Sequence, residues 1–381
     1  NIKDRLFKLS MRAKSYDDFF FLIAGLFSFE ELQILKNTFR NTQAAFEKYY
    51  WTPYAANNEQ RVKEFGQYRD FFQKWIDIIA RFYGHPQPPS MQMVVYTIPG
   101  DGRYTKSFAP VGQIAMIGLG VEVADLQDFL GVIVHEMAHE IEGSRPLAKT
   151  QEVSNYFSQI NSYEAARAFS FLGEAIPCAL GNALAYEDIA QKPYNQAILY
   201  NDPIIRDYGN AIYGLCKSYV KEEKEIDSLF AQKAVEIFKQ TIPDIRFQKE
   251  DLLFELRVFF ENKASMDWGW LRYQLRSNFR IYSLYSEAGL EKARLSTQMT
   301  HLFVIHDQAA VAYPALNQKL GNIFPTDLDL SREYVLFSPG KTQAPAFMLI
   351  LKNADNLEKV IQAFAQVNDI PNKEGVLLRL D

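Results

Sequence analysis

The amino-acid sequence predicts an α+β protein that is predominantly helical. Apolar residues recur at three- and four-residue intervals over residues 3–83 and over most of 152–300, which is the spacing of amphipathic helices. Stretches rich in β-forming residues occupy parts of 91–121 and of the last 80 residues. The chain has 381 residues, of which 48% are hydrophobic and 14% aromatic, so it can bury a large core in two or three domains.

Charge and cysteine content exclude several classes of protein. The 41 basic and 46 acidic residues give a net charge of −5 without a basic block, so we expect no nucleic-acid partner. The apolar run Phe19–Phe27 is much shorter than the roughly 20 residues that cross a bilayer, and we expect no transmembrane segment. Cys178 and Cys216 could form one disulfide or none, which excludes a disulfide framework.

The first 121 residues predict helices followed by two strands. The segment "YRDFFQKWIDIIARFYG" (Tyr68–Gly84) has a helical apolar stripe, and Gly84 followed by "HPQPPS" ends the helical block. "MQMVVYTIPG" predicts a strand that ends in a turn at Pro99–Gly102. A second extended stretch, Val111–Val121, follows after "RYTKSFAP".

The pattern becomes helical again from Glu122. Leu126, Phe129 and Ile133 share one helical face, and Gly143 is a natural C-terminal stop. Residues 152–300 are predicted to be almost entirely helical. In the last 80 residues, "HLFVIHD", "YVLFSPG" and "AFMLILKN" predict strands and "NLEKVIQAFAQV" predicts a helix. We therefore expect four segments: a helical block at 1–88, a core at 89–225, a helical segment at 226–300 and a small α/β unit at 301–381.

The segment "VIVHEMAHEIEGS" (residues 132–144) indicates a metal site, because it contains two of the five histidines in an H-E-x-x-H pattern. On a helix, His135 and His139 lie on one face and can reach one ion. Neutral imidazole is a good zinc ligand. Glu136 is rotated about a quarter turn from His135, so it can act as general base toward a water molecule. If no metal ion binds, the helix must place two histidines and a glutamate among apolar residues. Polar groups that are buried there need hydrogen-bond or charge partners.

"VIVHEMAHEI" resembles the motif of the zincin metallopeptidases, over residues 90–190 of this chain at most. The resemblance implies a zincin-like catalytic core in which the motif helix packs under a small twisted sheet. It also implies that an edge strand of that sheet pairs with extended substrate, and Gly112–Gly120 is the expected counterpart. Glu140 is charged where the extended zincin consensus prefers an uncharged residue.

A catalytic zinc site needs a third protein ligand, with water in the fourth position. The metzincin pattern is excluded because it requires a glycine and a histidine at the positions where this chain has Glu142 and Arg145. Similarity to the gluzincins implies a glutamate from a downstream helix, and Glu174 and Glu164 are the two candidates. We favour Glu174, because a carboxylate among so many apolar neighbours needs a cation. The gluzincin pattern has an aspartate four residues after the ligand, where this chain has Cys178.

Other side chains are candidates for a metal ligand or an oxyanion donor at the same site. His301 and His306 flank a strand-like segment and could supply a ligand, although core or surface positions explain them better; His85 reads as a loop residue. Transition-state stabilisation in this class usually comes from a tyrosine or histidine that donates to the oxyanion. Tyr208 is our candidate, while Tyr156 and Tyr163 are no worse by spacing.

The function expected from the sequence is therefore that of a zinc-dependent peptidase acting on a peptide or protein substrate, with Zn²⁺ as cofactor. The alternatives are a non-catalytic binding or regulatory protein on a degenerate zincin scaffold, and a zinc hydrolase of a non-peptide amide. Removal of a signal peptide before Asn1 would make the protein secreted or periplasmic, but the residues leave the compartment open. They also leave the oligomeric state open.

Overall fold

A computed structural model describes residues 2–87, 90–98, 106–111, 114–120, 126–261, 267–306, 308–340, 343–367, 370–371 and 373–380. The chain divides into two compact units. Unit 1 comprises Asn1–Glu152 and Gly173–Ile226, and unit 2 comprises Val153–Leu172 and Asp227–Asp381. The predicted segments 1–88 and 89–225 thus fall in unit 1 except for residues 153–172. The segments 226–300 and 301–381 fall in unit 2, apart from Ile226.

The architecture is α+β and predominantly helical, as predicted. The elements of the first part of the chain are α1 (Ile2–Arg12), α2 (Tyr16–Ile23), α3 (Phe29–Phe46), α4 (Thr52–Gly66), α5 (Arg69–Phe82), β1 (Gln92–Ile98), β2 (Lys106–Val111), β3 (Ile114–Gly120) and α6 (Gln127–Gly143). Next come α7 (Leu147–Ile160), α8 (Tyr163–Pro177), a π-helix (Cys178–Ala185), α9 (Tyr186–Ala190) and α10 (Pro203–Lys221).

Unit 2 then continues with alternating helices and strands. Its elements are α11 (Ser228–Thr241), α12 (Lys249–Leu252), β4 (Glu255–Phe260), α13 (Trp268–Asn278), β5 (Ser283–Ala288), β6 (Thr300–Ile305), α14 (Ala309–Lys319), β7 (Glu333–Ser338), β8 (Ala346–Ile350), α15 (Leu357–Ala365) and β9 (Gly375–Leu380). The prediction that 152–300 is almost entirely helical was wrong at β4 and β5. Short apolar runs such as "LLFELRVFF" fit a buried helix and a buried strand equally well, so periodicity could not separate them.

The small sheet of unit 1 has the order β1-β3-β2, with β1 parallel and β2 antiparallel to β3. The expectation that Gly112–Gly120 forms an edge strand was wrong, because β3 pairs on both sides. The edge strands are β1 and β2, and β2, apart from Val111, was expected to be part of a connection. Both α1 and α6 contact β2. The predicted Pro99–Gly102 turn and the predicted helix start at Glu122 lie outside the described residues.

The β1 edge of this sheet is covered by the helical block. The Asn58 side chain accepts a hydrogen bond from the Thr97 amide (2.7 Å), and Tyr50 donates its hydroxyl to the Thr97 carbonyl (2.9 Å). Arg61 donates to the Gly120 carbonyl at 3.2 Å. Polar side chains of a helix therefore satisfy backbone groups that a strand partner would otherwise satisfy.

The core of unit 1 forms around α5 and α6. Ile79 on α5 and Leu130, Ile133 and Met137 on α6 are fully buried, which follows from their spacing along one helical face. Helix α6 ends at Gly143, as the sequence predicted. Helix α10 begins where the Asp202 side chain accepts hydrogen bonds from two backbone amides of its first turn.

The sheet of unit 2 has the order β5-β4-β6-β8-β7-β9. Strands β5, β4, β6 and β8 are parallel, while β7 is antiparallel to both of its neighbours. Every residue of β6, β7 and β8 is buried, so both faces of the central strands are covered. This double burial explains why their sequences are continuous apolar runs without alternation.

One continuous helical stretch, Tyr163–Ala190, is long and apolar enough to span a membrane by length and composition. Within its most apolar window, 72% of the residues are buried inside the protein, as in a helix of a protein core. The prediction of no transmembrane segment is consistent with this burial. Of the two possibilities for the cysteines, one disulfide or none, the structure has none, because Cys178 and Cys216 are both buried and free.

Candidate metal centre

Helix α6 and the π-helix Cys178–Ala185 pack against each other at two glycines. A Cβ atom at Gly181 would lie 2.5 Å from the Cα atom of His135, and one at Gly131 would lie 2.9 Å from the Gly181 carbonyl oxygen. Only glycine allows backbones to approach this closely without a shift. The contact holds the helix that contains His135 against the helical stretch that contains Glu174.

Three potential ligand atoms converge at this crossing. The Nε2 atoms of His135 and His139 are 3.1 Å apart. The Oε2 atom of Glu174 lies 3.5 Å from the first and 3.4 Å from the second. These three groups could hold a metal ion. Of the two glutamates weighed from the sequence, Glu174 is the one that the structure brings to the histidines.

The dimensions of this triangle fit a tetrahedral zinc ion. Ligands at about 2.0–2.1 Å from zinc in tetrahedral geometry lie about 3.3–3.4 Å from one another. The three measured edges, 3.1, 3.5 and 3.4 Å, bracket that value. The donor set of two imidazoles and one carboxylate also has the chemistry of a catalytic zinc site.

Exposure increases from one candidate ligand to the next. The side chains of His135, His139 and Glu174 are 5%, 27% and 37% exposed, respectively. The group is therefore anchored in the core at His135 and accessible to solvent at Glu174. A centre that is open on one side leaves a position for water or a substrate atom.

The electrostatics of the three groups are strongly coupled. Although burial alone raises the pKa of Glu174, hydrogen bonds and charge from the two imidazoles lower it well below its usual range. Burial lowers the pKa of His139, but the nearby carboxylate of Glu174 more than compensates and raises it. The Glu174 carboxylate is therefore ionised at neutral pH, which is the form that binds a cation.

Two further groups face the same place. Burial is the main influence on the pKa values of His139, Cys178 and Tyr200, and the charge of the Glu136 carboxylate adds a smaller upward effect at all three. The Tyr200 ring stacks on His135, with ring centroids 6.1 Å apart and planes 16° apart. Burial raises the pKa of the Tyr200 phenol, and the charge of Glu174 and a hydrogen bond to it raise this pKa further. The phenol therefore stays protonated and can donate a hydrogen bond.

Tyr200 was not singled out from the sequence. It precedes the Asp202 cap of α10, and nothing in its neighbourhood distinguishes it from the other 20 tyrosines. The tyrosine chosen instead, Tyr208, has a fully buried side chain on α10, so it cannot touch a substrate. Tyr163, an alternative, is also buried, and its hydroxyl lies 3.4 Å from Thr300 Oγ1 in unit 2.

The remaining candidates, and Glu142 at the end of the motif helix, have other partners. Glu164 lies in unit 2, where it forms an ion pair with Arg246. Glu142 forms an ion pair with Arg145 at 3.1 Å. His85 Nε2 lies 3.1 Å from the Ser144 carbonyl, and His301 and His306 are buried residues of unit 2. Of the core or surface positions expected for the last two, both histidines take buried ones.

The surroundings of the ligands differ from the gluzincin pattern at one point. Cys178, at the position of the expected aspartate, is fully buried, and burial raises the pKa of its thiol, which therefore stays neutral. Among the described residues, His135 Nδ1 is buried without a hydrogen-bond partner. The imidazole of His135 is oriented instead by its Nε2 contact with Glu174 and by the Tyr200 ring, while Gly181 packs against the His135 backbone.

Comparison with known proteins does not add to this picture. No family model, no curated protein and no solved structure matches the chain. Any statement about function therefore depends on the geometry and chemistry of the residues themselves.

Proposed function

We propose that this protein is a zinc-dependent peptidase of gluzincin type, built on a zincin-like core in unit 1. The observation that supports this proposal best is the triangle of His135 Nε2, His139 Nε2 and Glu174 Oε2, whose edges fit tetrahedral zinc. The H-E-x-x-H pattern and the glutamate from a downstream helix also agree with the resemblance.

The proposed roles divide between holding the ion and moving a proton. His135, His139 and Glu174 would hold zinc, which supplies Lewis-acid activation of water and of the substrate carbonyl. Glu136 lies within electrostatic range of His139 and Tyr200 and is not part of the triangle. It would accept a proton from the attacking water and deliver it to the leaving amine.

Tyr200 would act on the developing oxyanion. Because its pKa is raised, its hydroxyl remains a donor over the whole physiological pH range. It stacks on the ring of His135, so it lies beside the proposed metal. A preorganised donor at such a position lowers the energy of the transition state more than that of the substrate.

An extended peptide would bind along β2. This strand is the antiparallel edge of the small sheet, and it contacts the helix of the H-E-x-x-H motif. Addition of a peptide as a further strand would satisfy backbone groups of β2. The substrate would then run past the side of α6 at which Glu174 and His139 are exposed.

The decisive experiment measures zinc content and peptide cleavage together. Purified full-length protein is loaded with zinc, dialysed and analysed by atomic emission, and cleavage of a quenched-fluorescence peptide library is recorded. We expect one zinc per chain in the wild type and in Glu136→Gln, with a loss of cleavage of about 10²-fold or more in the variant.

The other outcomes separate the alternatives. Absence of stoichiometric zinc from both proteins overturns the metal centre itself. Zinc without cleavage of any peptide in the wild type supports the non-catalytic scaffold, unless a non-peptide amide is hydrolysed. Glu164→Gln is the control for Glu174→Gln, because only the latter removes the negative charge of the carboxylate in the triangle.

A further inference from the structure

Unit 2 contains an open cavity of about 430 Å³ that the proposed peptidase activity does not use. Its walls come from α7, α8, the first residue of β4, Tyr282 and residues 297–299. This volume lies within the range of about 300–1,000 Å³ that is typical of sites for small molecules.

The lining is rich in neutral hydrogen-bonding groups. Ser154, Ser170 and Gln298 line the cavity, and their side chains form no hydrogen bond to the described part of the protein. Thr297 donates its hydroxyl to Asn161 Oδ1 at 3.0 Å, which joins two walls and leaves the Asn161 amide group as a donor. The cavity thus offers several uncommitted donors and acceptors from separate segments of the chain.

Two aromatic rings lie exposed at the same cavity. Phe169 is 37% exposed and packs on Phe157 with ring centroids 5.1 Å apart. Tyr282 is 72% exposed, yet its ring is held nearly parallel to that of Phe254, at 5.3 Å and 5°. Large rings held in place at low entropic cost provide flat apolar surfaces for a ligand.

The charge of the cavity is compensated. Glu255 is its one charged lining residue among the described residues, and it accepts a hydrogen bond from Arg167 Nη1 at 3.2 Å. The Arg167 side chain is 1% exposed, and its guanidinium lies 4.9 Å from the Phe171 ring centroid. Since the carboxylate already has a buried cationic partner, an ionic ligand gains little here.

We propose that this cavity binds a neutral carbohydrate of one or two sugar rings. A sugar presents C–H groups on its faces and hydroxyl groups at its rim. The faces match the exposed rings of Phe169 and Tyr282, and the hydroxyls match Ser154, Ser170 and Gln298. The proposal rests on unit 2 alone and does not depend on the metal centre.

Isothermal titration calorimetry of the full-length protein tests this proposal with glucose, N-acetylglucosamine, maltose, cellobiose and diacetylchitobiose. We expect at least one of them to bind with a Kd of about 1 mM or tighter. Tyr282→Ala, which removes a ring, and Ser170→Leu, which fills the cavity, should each weaken binding about tenfold or more. Tyr273→Ala is the matched control, because this tyrosine is 66% exposed and belongs to the same unit.

Thermal melting of each variant separates loss of the site from loss of the fold. Tyr282→Ala with a wild-type melting curve and weakened binding supports the proposal. Failure of all five sugars to bind overturns it, and so does binding that both cavity variants retain. If the neutral tripeptide Gly-Ser-Gly binds while the sugars do not, the cavity is a peptide site and the proposal is wrong. Zinc content is expected to be the same in all these proteins.

Discussion

Gly181 lies so close to the backbone of His135 that a methyl group at position 181 would be 2.5 Å from the His135 Cα atom. Gly173, one residue before Glu174, has open space around the corresponding position. Two glycines on the same helical stretch therefore differ in whether they can accept a side chain. This difference provides a direct test of how the candidate metal centre is positioned.

We predict that Gly181→Ala separates α6 from the π-helix and weakens zinc binding. Overpacking at such a contact typically costs about 1–3 kcal/mol of unfolding free energy. Gly173→Ala should retain zinc and be slightly more stable, since alanine is favoured over glycine in helices by up to about 1 kcal/mol. Zinc titration and thermal melting of both variants measure these effects; equal zinc affinities would show that the crossing does not position the ligands.

Metal binding should stabilise the protein. Zinc at about 100 times its Kd is expected to add about 2.7 kcal/mol to the unfolding free energy, so EDTA should lower the melting temperature and zinc should restore it. Glu174→Gln should lose most of this zinc-dependent shift, whereas Glu164→Gln should keep it. Each variant is compared with its own metal-free form, because loss of the Glu164–Arg246 ion pair also lowers stability.

Tyr200→Phe should lower kcat and leave KM and zinc content nearly unchanged. Loss of one oxyanion donor typically costs about 10²–10³ in kcat. Because the phenylalanine ring can still stack on His135, the fold of the site should survive. Tyr208→Phe, whose hydroxyl belongs to a fully buried side chain, should retain activity if it folds. If Tyr208→Phe lost activity while Tyr200→Phe kept it, Tyr208 would be the oxyanion donor and the prediction would be wrong.

Unit 2 should lose stability in mild acid because of His301. Its ring is fully buried beside Phe259 and Phe303, and burial, followed by the charges of Arg257 and Arg294, lowers its pKa to about 4. Since the unfolded chain titrates near the ordinary value, stability present above pH 6.5 is lost as the pH falls toward 4, by about 3 kcal/mol.

The His301→Phe variant isolates this effect. Its unfolding free energy, measured by urea titration between pH 7 and pH 4, should fall less than that of the wild type by about 3 kcal/mol. The other four histidines are present in both proteins, so their contributions cancel in the comparison. His85→Asn, which changes a half-buried histidine of unit 1, should follow the wild-type curve. Parallel curves for His301→Phe and the wild type would contradict the prediction.

Much of the architecture was accessible from local patterns. The helical N-terminal block, β1, β3, β6, β7, β8 and the end of α6 at Gly143 follow from periodicity and from helix stop signals. The strands β2, β4, β5 and β9 were missed. In β4 a short apolar run is ambiguous, and in β2 the strand conformation depends on pairing with β3. Such pairing is a long-range interaction that local propensity does not encode.

Helix geometry, read from the sequence, places His135 and His139 on one face with Glu136 beside them, because a helix brings residues four apart together whatever surrounds it. The sequence also narrows the candidates for a third ligand to two glutamates. Long-range packing, in contrast, brings Glu174 to the histidines, pairs Glu164 with Arg246 and stacks Tyr200 on His135. The reason is that these contacts join separate helices, and their distances depend on close packing at glycines such as Gly181.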